Sequence, residues 1–600
     1  MTRNTLLLTV LALLPAGVAV AGGGPENAVV IVNADNPDSV TLAQQYAALR
    51  QIPSCNVVSL SGLPDQPKIT VQQFRELILG PVLQTIEQRG LAAQIDYLVY
   101  SCGFPFAVDV SADMAGKQFP RVITQPASLT GLTYLYEPVL AGNVGYLALD
   151  SNWYCRPVKR QGPPLVLSDD ERGLQSKLDA LLQEVKQAQR QAAEAKTPPP
   201  AEMTRWLDEA ATILQALVGN HHAPELIYDL ACVLGLQGKA EEAMTALQAA
   251  YDAGWWNASL TERDTDLTIL RDRADFKALV EKMRAVVVET EPPLPFHHRT
   301  AWSAEGQPVT AAGRHYVIAA MLGYLGEKAN TLAEVQECLT RSRAADGTCP
   351  AGTIYFMEST DWARTGPRQW AFRSAAEALR KLGVGAEVLP GVLPPGRQDV
   401  AGTMVGIANF TWADCGSRIL PGAFCDHLTS CAGIMTGGGQ TLLSEFIRSG
   451  AAGAAGTVTE PYNTPVKFPT AFLHVFYASG CSLGEAFYQS VRAPYQQLLV
   501  GDPLCQPWAR APQVTVAGLK EGEMVGESRV LMPAVARGAG VPPAIRFELY
   551  VDGVLADACA PGKQLSLKVE GLSAGPHEAR VVGVAGPLET TGRAIIGFRR

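Results

Sequence analysis

The chain has 600 residues, of which 47% are hydrophobic, and a formal net charge of −9 at pH 7. This length predicts several domains, and the hydrophobic fraction permits large cores. The basic residues form no stripe along the sequence, which argues against a nucleic-acid partner. Twelve cysteines in a chain of this length are too sparse for a disulfide scaffold, and the sequence alone assigns no pairing.

The first residues have the pattern of a secretory signal. Arg3 supplies a positive end, Leu6–Leu14 an apolar segment, and Ala19–Ala21 an A-x-A cleavage site. We therefore expect residues 1–21 to direct export to the periplasm or beyond, whether the signal is cleaved or kept as an anchor. No later stretch approaches the ~20 apolar residues of a membrane span, so none is expected after signal removal.

Residues 27–157 alternate between predicted strands and helices. Alternation of this kind predicts an α/β unit with a parallel sheet and helices on both faces. The predicted strands are Ala28–Asn33, Asn56–Leu60 and Asp96–Ser101, and the predicted helices are Ser39–Arg50 and Val71–Ile86.

Residues 165–292 change to a helical pattern with almost no strand. Ser168 and the acidic residues after it are typical of a helix start. Within this block, Pro224–Gly254 resembles a tetratricopeptide helical hairpin, with Gly238 in its turn. Two interpretations stay open for this all-α insertion: a block packed on the main domain, or a groove for a protein or peptide partner.

The α/β pattern resumes in residues 310–510, and residues 512–600 consist of short strands and turns. The second α/β unit includes the predicted strands Gly352–Met357, Ala386–Leu389 and Gly402–Asn409. In the last block, Asp552-Gly553 is a hairpin-turn signal between two apolar strand patterns. This block predicts a small β-sandwich.

The stretch Ala423–Pro461 contains the candidate site. Its pattern predicts a strand, a loop, a helix that ends near Gly450, and a second strand at Ala454–Val458. The loop carries Cys431. Loops at the carboxyl ends of strands in α/β layers are where ligands and nucleophiles usually lie.

These features together resemble the gingipain-type cysteine peptidases, which have a caspase-like fold and an immunoglobulin-like module after it. The resemblance is carried by the segment around Cys431, by the Gly-Ala strand that follows, and by Gly501-Asp502-Pro503 at the end of the block. It covers roughly residues 28–155 and 348–508. The chain is also similar to secreted bacterial proteins that share its segments Asn33–Ser39, Ala345–Thr353 and Asp426–Ser430.

The resemblance implies that Cys431 is the nucleophile and that Glu460 lies where related peptidases shape substrate specificity. It also implies a His-Gly step after the strand Gly402–Asn409, where this sequence contains no histidine. The nearest substitute for the base is His427, with His474 as a second candidate, because a cysteine nucleophile requires a group that favours its thiolate.

Two neighbouring features complete the candidate site. Asp426 is a candidate to orient His427, or else to cap a turn. The glycine run around Gly438 is a candidate to offer backbone N–H groups to a substrate anion, or else a mobile loop.

Two functions follow from these residues and from the resemblance. In the first, the core is a catalytically degenerate peptidase-like domain that acts as an exported binding or scaffold protein. In the second, it is an active cysteine peptidase with Cys431 as the nucleophile and His427 as the base. The absent His-Gly step favours the first. No phosphate-binding loop, dinucleotide fingerprint or zinc-ligand spacing is present, so we expect no cofactor and no metal.

Overall fold

The computed structural model describes residues 23–159, 165, 167–310, 312–536 and 540–600. The predicted signal, residues 1–21, lies outside the described residues. The chain divides into two compact units. The core unit runs through Arg156 and continues with Pro292–Ser359 and Leu379–Arg600, and the helical unit comprises Pro157–Glu291 and Thr360–Ala378.

Every strand that the structure describes belongs to the core unit. Those before the C-terminal block are β1 (Ala28–Asn33), β2 (Val57–Leu60), β3 (Lys68–Thr70), β4 (Tyr97–Tyr100), β5 (Ala107–Asp109), β6 (Pro126–Ser128), β7 (Ala301–Trp302), β8 (Pro308–Val309), β9 (Ile318–Met321), β10 (Thr353–Glu358), β11 (Gly385–Pro390), β12 (Val400–Gly406), β13 (Ile419–Leu428), β14 (Gly453–Thr457) and β15 (Gln497–Gly501). Those of the C-terminal block are β16 (Gln513–Ala517), β17 (Glu523–Met524), β18 (Arg529–Ala536), β19 (Ala544–Val551), β20 (Val554–Cys559), β21 (Leu565–Leu567), β22 (Pro576–Ala585) and β23 (Thr590–Arg599).

The helices are distributed over both units. The core unit begins with α1 (Pro37–Arg50), α2 (Val71–Gln73), α3 (Gly80–Gln88), α4 (Ser111–Met114), α5 (Leu129–Tyr134) and α6 (Tyr136–Leu140). The helical unit contains α7 (Asp169–Ala195), α8 (Glu202–His221), α9 (Pro224–Leu236), α10 (Ala240–Asp252), α11 (Ala258–Arg263) and α12 (Ala274–Ala285). The remaining helices are α13 (Leu332–Ala345), α14 (Trp362–Gln369), α15 (Phe372–Lys381), α16 (Ser444–Arg448), α17 (Phe472–Ala478) and α18 (Leu483–Ser490), of which α14 and the start of α15 belong to the helical unit.

In the described part of the chain, ten strands form one large sheet in the order β11-β10-β12-β13-β14-β15-β9-β4-β1-β2. Its neighbouring strands are parallel except at the β14–β15 pair. The sequence predicts two α/β units, whereas the structure places the strands of both in this one sheet. The strands of the first predicted unit meet those of the second where β4 pairs with β9, at Tyr97 opposite Ile318. The mixed α/β class is confirmed.

A buried carboxylate at the end of β15 connects distant parts of this sheet. Asp502 has no solvent exposure and accepts hydrogen bonds from the Tyr46 hydroxyl and the Arg50 Nε, both at 2.8 Å. Arg50 also pairs with Asp346, which follows α13. Gly501 precedes Asp502 with a φ of +125°, and a Cβ there would lie 2.6 Å from the Gly453 Cα. Glycine is therefore required at position 501.

The helical unit has its own hydrophobic core. Helix α7 begins with a capping box, because the Ser168 hydroxyl accepts from the Glu171 N–H at 3.3 Å and the Glu171 carboxylate accepts from the Ser168 N–H at 2.8 Å. Helices α9 and α10 form the predicted hairpin, and Gly238 lies in the turn between them. No described helix has both the length and the apolar character that crossing a bilayer would require.

The C-terminal strands form two sheets that enclose a separate hydrophobic core. One sheet has the order β16-β18-β21 and the other β17-β23-β22-β19-β20. Leu531, Phe547 and Leu567 are among the buried residues between them. The block is anchored to the N-terminal strands by buried Glu26, which pairs with Arg580 at 3.2 Å and Arg593 at 3.0 Å.

We expect Arg50→Met to lower the free energy of unfolding by about 3–5 kcal/mol, because it leaves the buried Asp502 carboxylate without its counter-ion. Arg343→Met is the matched control, since Arg343 also pairs with Asp346, at 3.3 Å, but its side chain is 46% exposed. An exposed pair of this kind contributes about 1 kcal/mol or less. Urea unfolding measures both variants, and equal losses would contradict the assigned role of Asp502.

Candidate functional site

The candidate site lies at the carboxyl ends of β12 and β13. These strands run parallel, with Gly406 opposite Leu428 at their last paired position. The chain then leaves the sheet through residues 429–443, which we call the Cys431 loop. The loop rests on the end of β14, where the Thr457 hydroxyl lies 3.1 Å from the carbonyl oxygens of both Thr429 and Ser430.

Cys431 is partly buried under its own loop. Its backbone N–H donates to the Gln440 Oε1 at 2.9 Å, and the Thr429 hydroxyl donates to the same oxygen at 2.6 Å. Gly438 packs against the cysteine side chain, since a Cβ built on this glycine would lie 2.6 Å from the Cys431 Cβ and 3.3 Å from its Sγ. The fold thus brings Cys431 and Gly438 together, and Gln440 stabilises the loop by accepting these two hydrogen bonds.

His427 is the next-to-last residue of β13 and is 3% exposed. Its Nε2 lies 3.1 Å from the carbonyl oxygen of Ile407. A carbonyl oxygen only accepts hydrogen bonds, so Nε2 carries the proton and Nδ1 is the nitrogen that can accept one. The ring packs edge-on against Phe410 and Phe446, with centroid distances of 5.0 and 6.5 Å.

Asp426 and His427 point to opposite faces of the sheet. They are consecutive residues of a continuous strand, and successive side chains of a strand alternate between faces. His427 faces Phe446 of α16, whereas Phe424, on the same face as Asp426, lies against Phe487 of α18. The strand geometry therefore does not support Asp426 as the group that orients His427.

His474 lies beside the middle of the sheet. A Cβ built on Gly402 would lie 2.8 Å from the imidazole Cε1 of His474. Gly402 is opposite Phe424, four residues before the end of β13, which corresponds to about 13 Å along the strand. The structure therefore places this second candidate base away from the end of β13 that carries the Cys431 loop.

Glu460 is exposed and closes a turn, because its carboxylate accepts from the Tyr462 N–H at 2.8 Å. Its charge also acts on Lys467, which is fully buried and donates to the carbonyl oxygen of Val122. Burial lowers the pKa of Lys467 to about 8, and Glu460 offsets part of this shift. The Lys467 carbonyl accepts from Gln497, which pairs with Thr457 beneath the loop.

Sequence reasoning missed Gln440, Thr457 and Lys467. The partners of the Gln440 and Thr457 side chains depend on how the loop closes over β14, and no local pattern encodes that closure. The signal available for Lys467 was a lysine within the otherwise uncharged run Pro461–His474. Such a position is consistent with burial and does not establish it.

Lys467 gives a pH dependence with a defined sign. Its folded-state pKa of about 8 lies below the ordinary lysine value, so between the two values the unfolded chain binds more protons than the folded protein. The free energy of unfolding therefore rises with pH between these two pKa values. We expect the wild type to gain about 2 kcal/mol of unfolding free energy relative to Lys467→Met between pH 7 and pH 9.5.

Urea unfolding at the two pH values measures this difference. Lys328→Met is the control, because Lys328 is exposed and its removal should leave the pH dependence as in the wild type. A wild type and Lys467→Met with parallel pH dependences would contradict the burial of a charged amine at this position.

Comparisons with known proteins give this chain no family. No protein-family profile matches it, and no curated protein does. Among solved structures it is similar to an engineered protein, at 11% identity and a TM-score of 0.12, over 48% of this chain and 65% of that one. It is also similar to a beta-glucosidase from Listeria innocua in complex with glucose, at 11% identity and a TM-score of 0.19, over 93% of this chain and 75% of that one. TM-scores this low carry no argument about function.

Proposed function

We propose that this chain is an exported binding or scaffold protein whose core unit is a catalytically degenerate, gingipain-like cysteine peptidase domain. The observation that carries the proposal is the hydrogen bond from the Cys431 N–H to the Gln440 Oε1, at 2.9 Å. The backbone N–H of a nucleophile often helps to stabilise the oxyanion in acyl transfer. In this structure, the side-chain oxygen of Gln440 accepts the hydrogen bond from the Cys431 N–H, so that N–H is already occupied.

The segment after β12 supports the same proposal. It is where the resemblance requires a histidine, and the chain has Phe410 there, packed on the His427 ring. The Thr441 hydroxyl holds this segment by accepting from the Phe410 N–H at 2.9 Å and donating to its carbonyl oxygen at 2.8 Å. An aromatic ring supplies no base, so the expected catalytic pair is incomplete.

Under this proposal, partner contacts come from the rest of the chain. The α9–α10 hairpin of the helical unit, which we take as tetratricopeptide-like, offers the exposed face of α10 to a protein or peptide, because α9 is largely buried. The C-terminal block, which we take as immunoglobulin-like, exposes apolar side chains on one strand, including Val530 and Met532. Exposed apolar side chains are common at interaction surfaces.

The second candidate is an active cysteine peptidase with Cys431 as the nucleophile and His427 as the base. It is favoured by the tautomer of His427, because donation from Nε2 to Ile407 leaves Nδ1 as a proton acceptor. This function also requires that Gln440 move away from the Cys431 N–H when substrate binds.

Iodoacetamide labelling across pH 5–9 separates the two functions. The binding-protein proposal expects Cys431 to react with the profile of an ordinary thiol, whose pKa is about 8.5, and expects His427→Ala to leave that profile unchanged. Peptide mass analysis follows Cys431, and the exposed Cys349 is an internal standard in the same sample. Fast labelling of Cys431 well below pH 8, slowed by His427→Ala, would indicate an activated thiolate and favour the peptidase instead.

A further inference from the structure

A cavity of 590 Å³ lies beside β1 and β2, at one edge of the large sheet, whereas the Cys431 loop follows β13 in its other half. It is lined by residues of β1, β2, α1 and the C-terminal strands β22 and β23, and it is partly open to solvent. Eight of its fourteen lining residues are aliphatic, including Ala47 and Ala48, and six are polar, including Glu578 and Arg580. Its volume lies within the range of about 300–1,000 Å³ that is usual for small-molecule sites.

One wall of the cavity carries a buried guanidinium. Arg580 is 4% exposed, and its Nε donates to Glu578 at 2.7 Å. Its Nη1 donates to Glu26 at 3.2 Å and to the carbonyl oxygen of Gln51. Its Nη2 makes no hydrogen bond to any residue in the described ranges. Because Arg580 lines the cavity and its other nitrogens have partners, we take Nη2 as the donor for a ligand there.

The other contacts hold this donor in place. Nε and Nη1 fix the guanidinium plane through three partners, Glu578, Glu26 and Gln51, so little side-chain entropy remains to be lost when a ligand binds. Helix α1 contributes Val40, Gln44 and three alanines, among them Ala47 and Ala48, to the facing wall. The space they leave is apolar and suited to a hydrocarbon chain.

We propose that this cavity binds an aliphatic carboxylic acid, with the carboxylate on the Arg580 Nη2 and the hydrocarbon body along α1 and β2. A guanidinium donates stronger hydrogen bonds to a carboxylate than to a neutral oxygen. The aliphatic lining excludes small hydrophilic anions as the preferred ligand, because they would leave the apolar walls hydrated. This site is independent of the Cys431 loop and of the function proposed for it.

Calorimetric titration of the full chain with sodium decanoate at pH 8 tests the proposal. We expect saturable one-to-one binding, and binding of decanamide weaker by about tenfold, since the amide lacks the charge-assisted hydrogen bond. Cys431→Ala should bind decanoate like the wild type. Absence of saturable binding, or equal affinities for decanoate and decanamide, would overturn the proposal.

A variant pair on α1 locates the binding. Ala48 is exposed and lines the cavity, so Ala48→Trp should fill it and weaken decanoate binding by about tenfold or more. Thr41 is exposed on the same helix outside the lining, and Thr41→Trp should leave the affinity unchanged. Neither variant removes the buried ion pairs of Arg580. Equal effects of the two substitutions on decanoate affinity would place the binding elsewhere and refute the assignment.

Discussion

The core unit depends on the buried carboxylate of Asp502. Its hydrogen bonds from Tyr46 and Arg50 bring α1 against the end of β15, and Arg50 in turn reaches Asp346 after α13. Strand β15 lies between β14 and β9 among the strands of the second predicted unit, whereas α1 belongs to the first. One ion pair in the interior, where an unpaired charge is costly, therefore holds elements from both ends of the core in register.

Much of the local structure was predictable from the sequence. Continuous apolar runs predicted β1, β10 and β12 to within two or three residues, because buried parallel strands require such runs. Strand order was not predictable, since β9 pairs with β4 across more than 200 residues and no local pattern encodes that partner. The sequence predicted no strand at β18, because it contains Pro533 and its exposed positions Val530 and Met532 are apolar, so no polar–apolar alternation is present.

The candidate site shows the same division between local and tertiary information. The position of Cys431 in a loop after a strand followed from the sequence, and the structure confirms it. The opposite orientations of Asp426 and His427 were also implied, because adjacent strand residues alternate. The role of Gln440 could not be predicted from the sequence, since its side chain meets Cys431 only when the loop folds back over β14. That contact carries the functional proposal, and it is a tertiary contact.

Loss of catalysis with retention of the fold is the central claim. It is tested most directly by incubating the purified chain with an unfolded protein substrate and mapping new termini by mass spectrometry, beside Cys431→Ala. We expect the same termini in both samples, because the Cys431 N–H is held by Gln440 and the segment after β12 supplies no histidine. Termini that form with the wild type and are absent with Cys431→Ala would contradict the claim and establish an active peptidase.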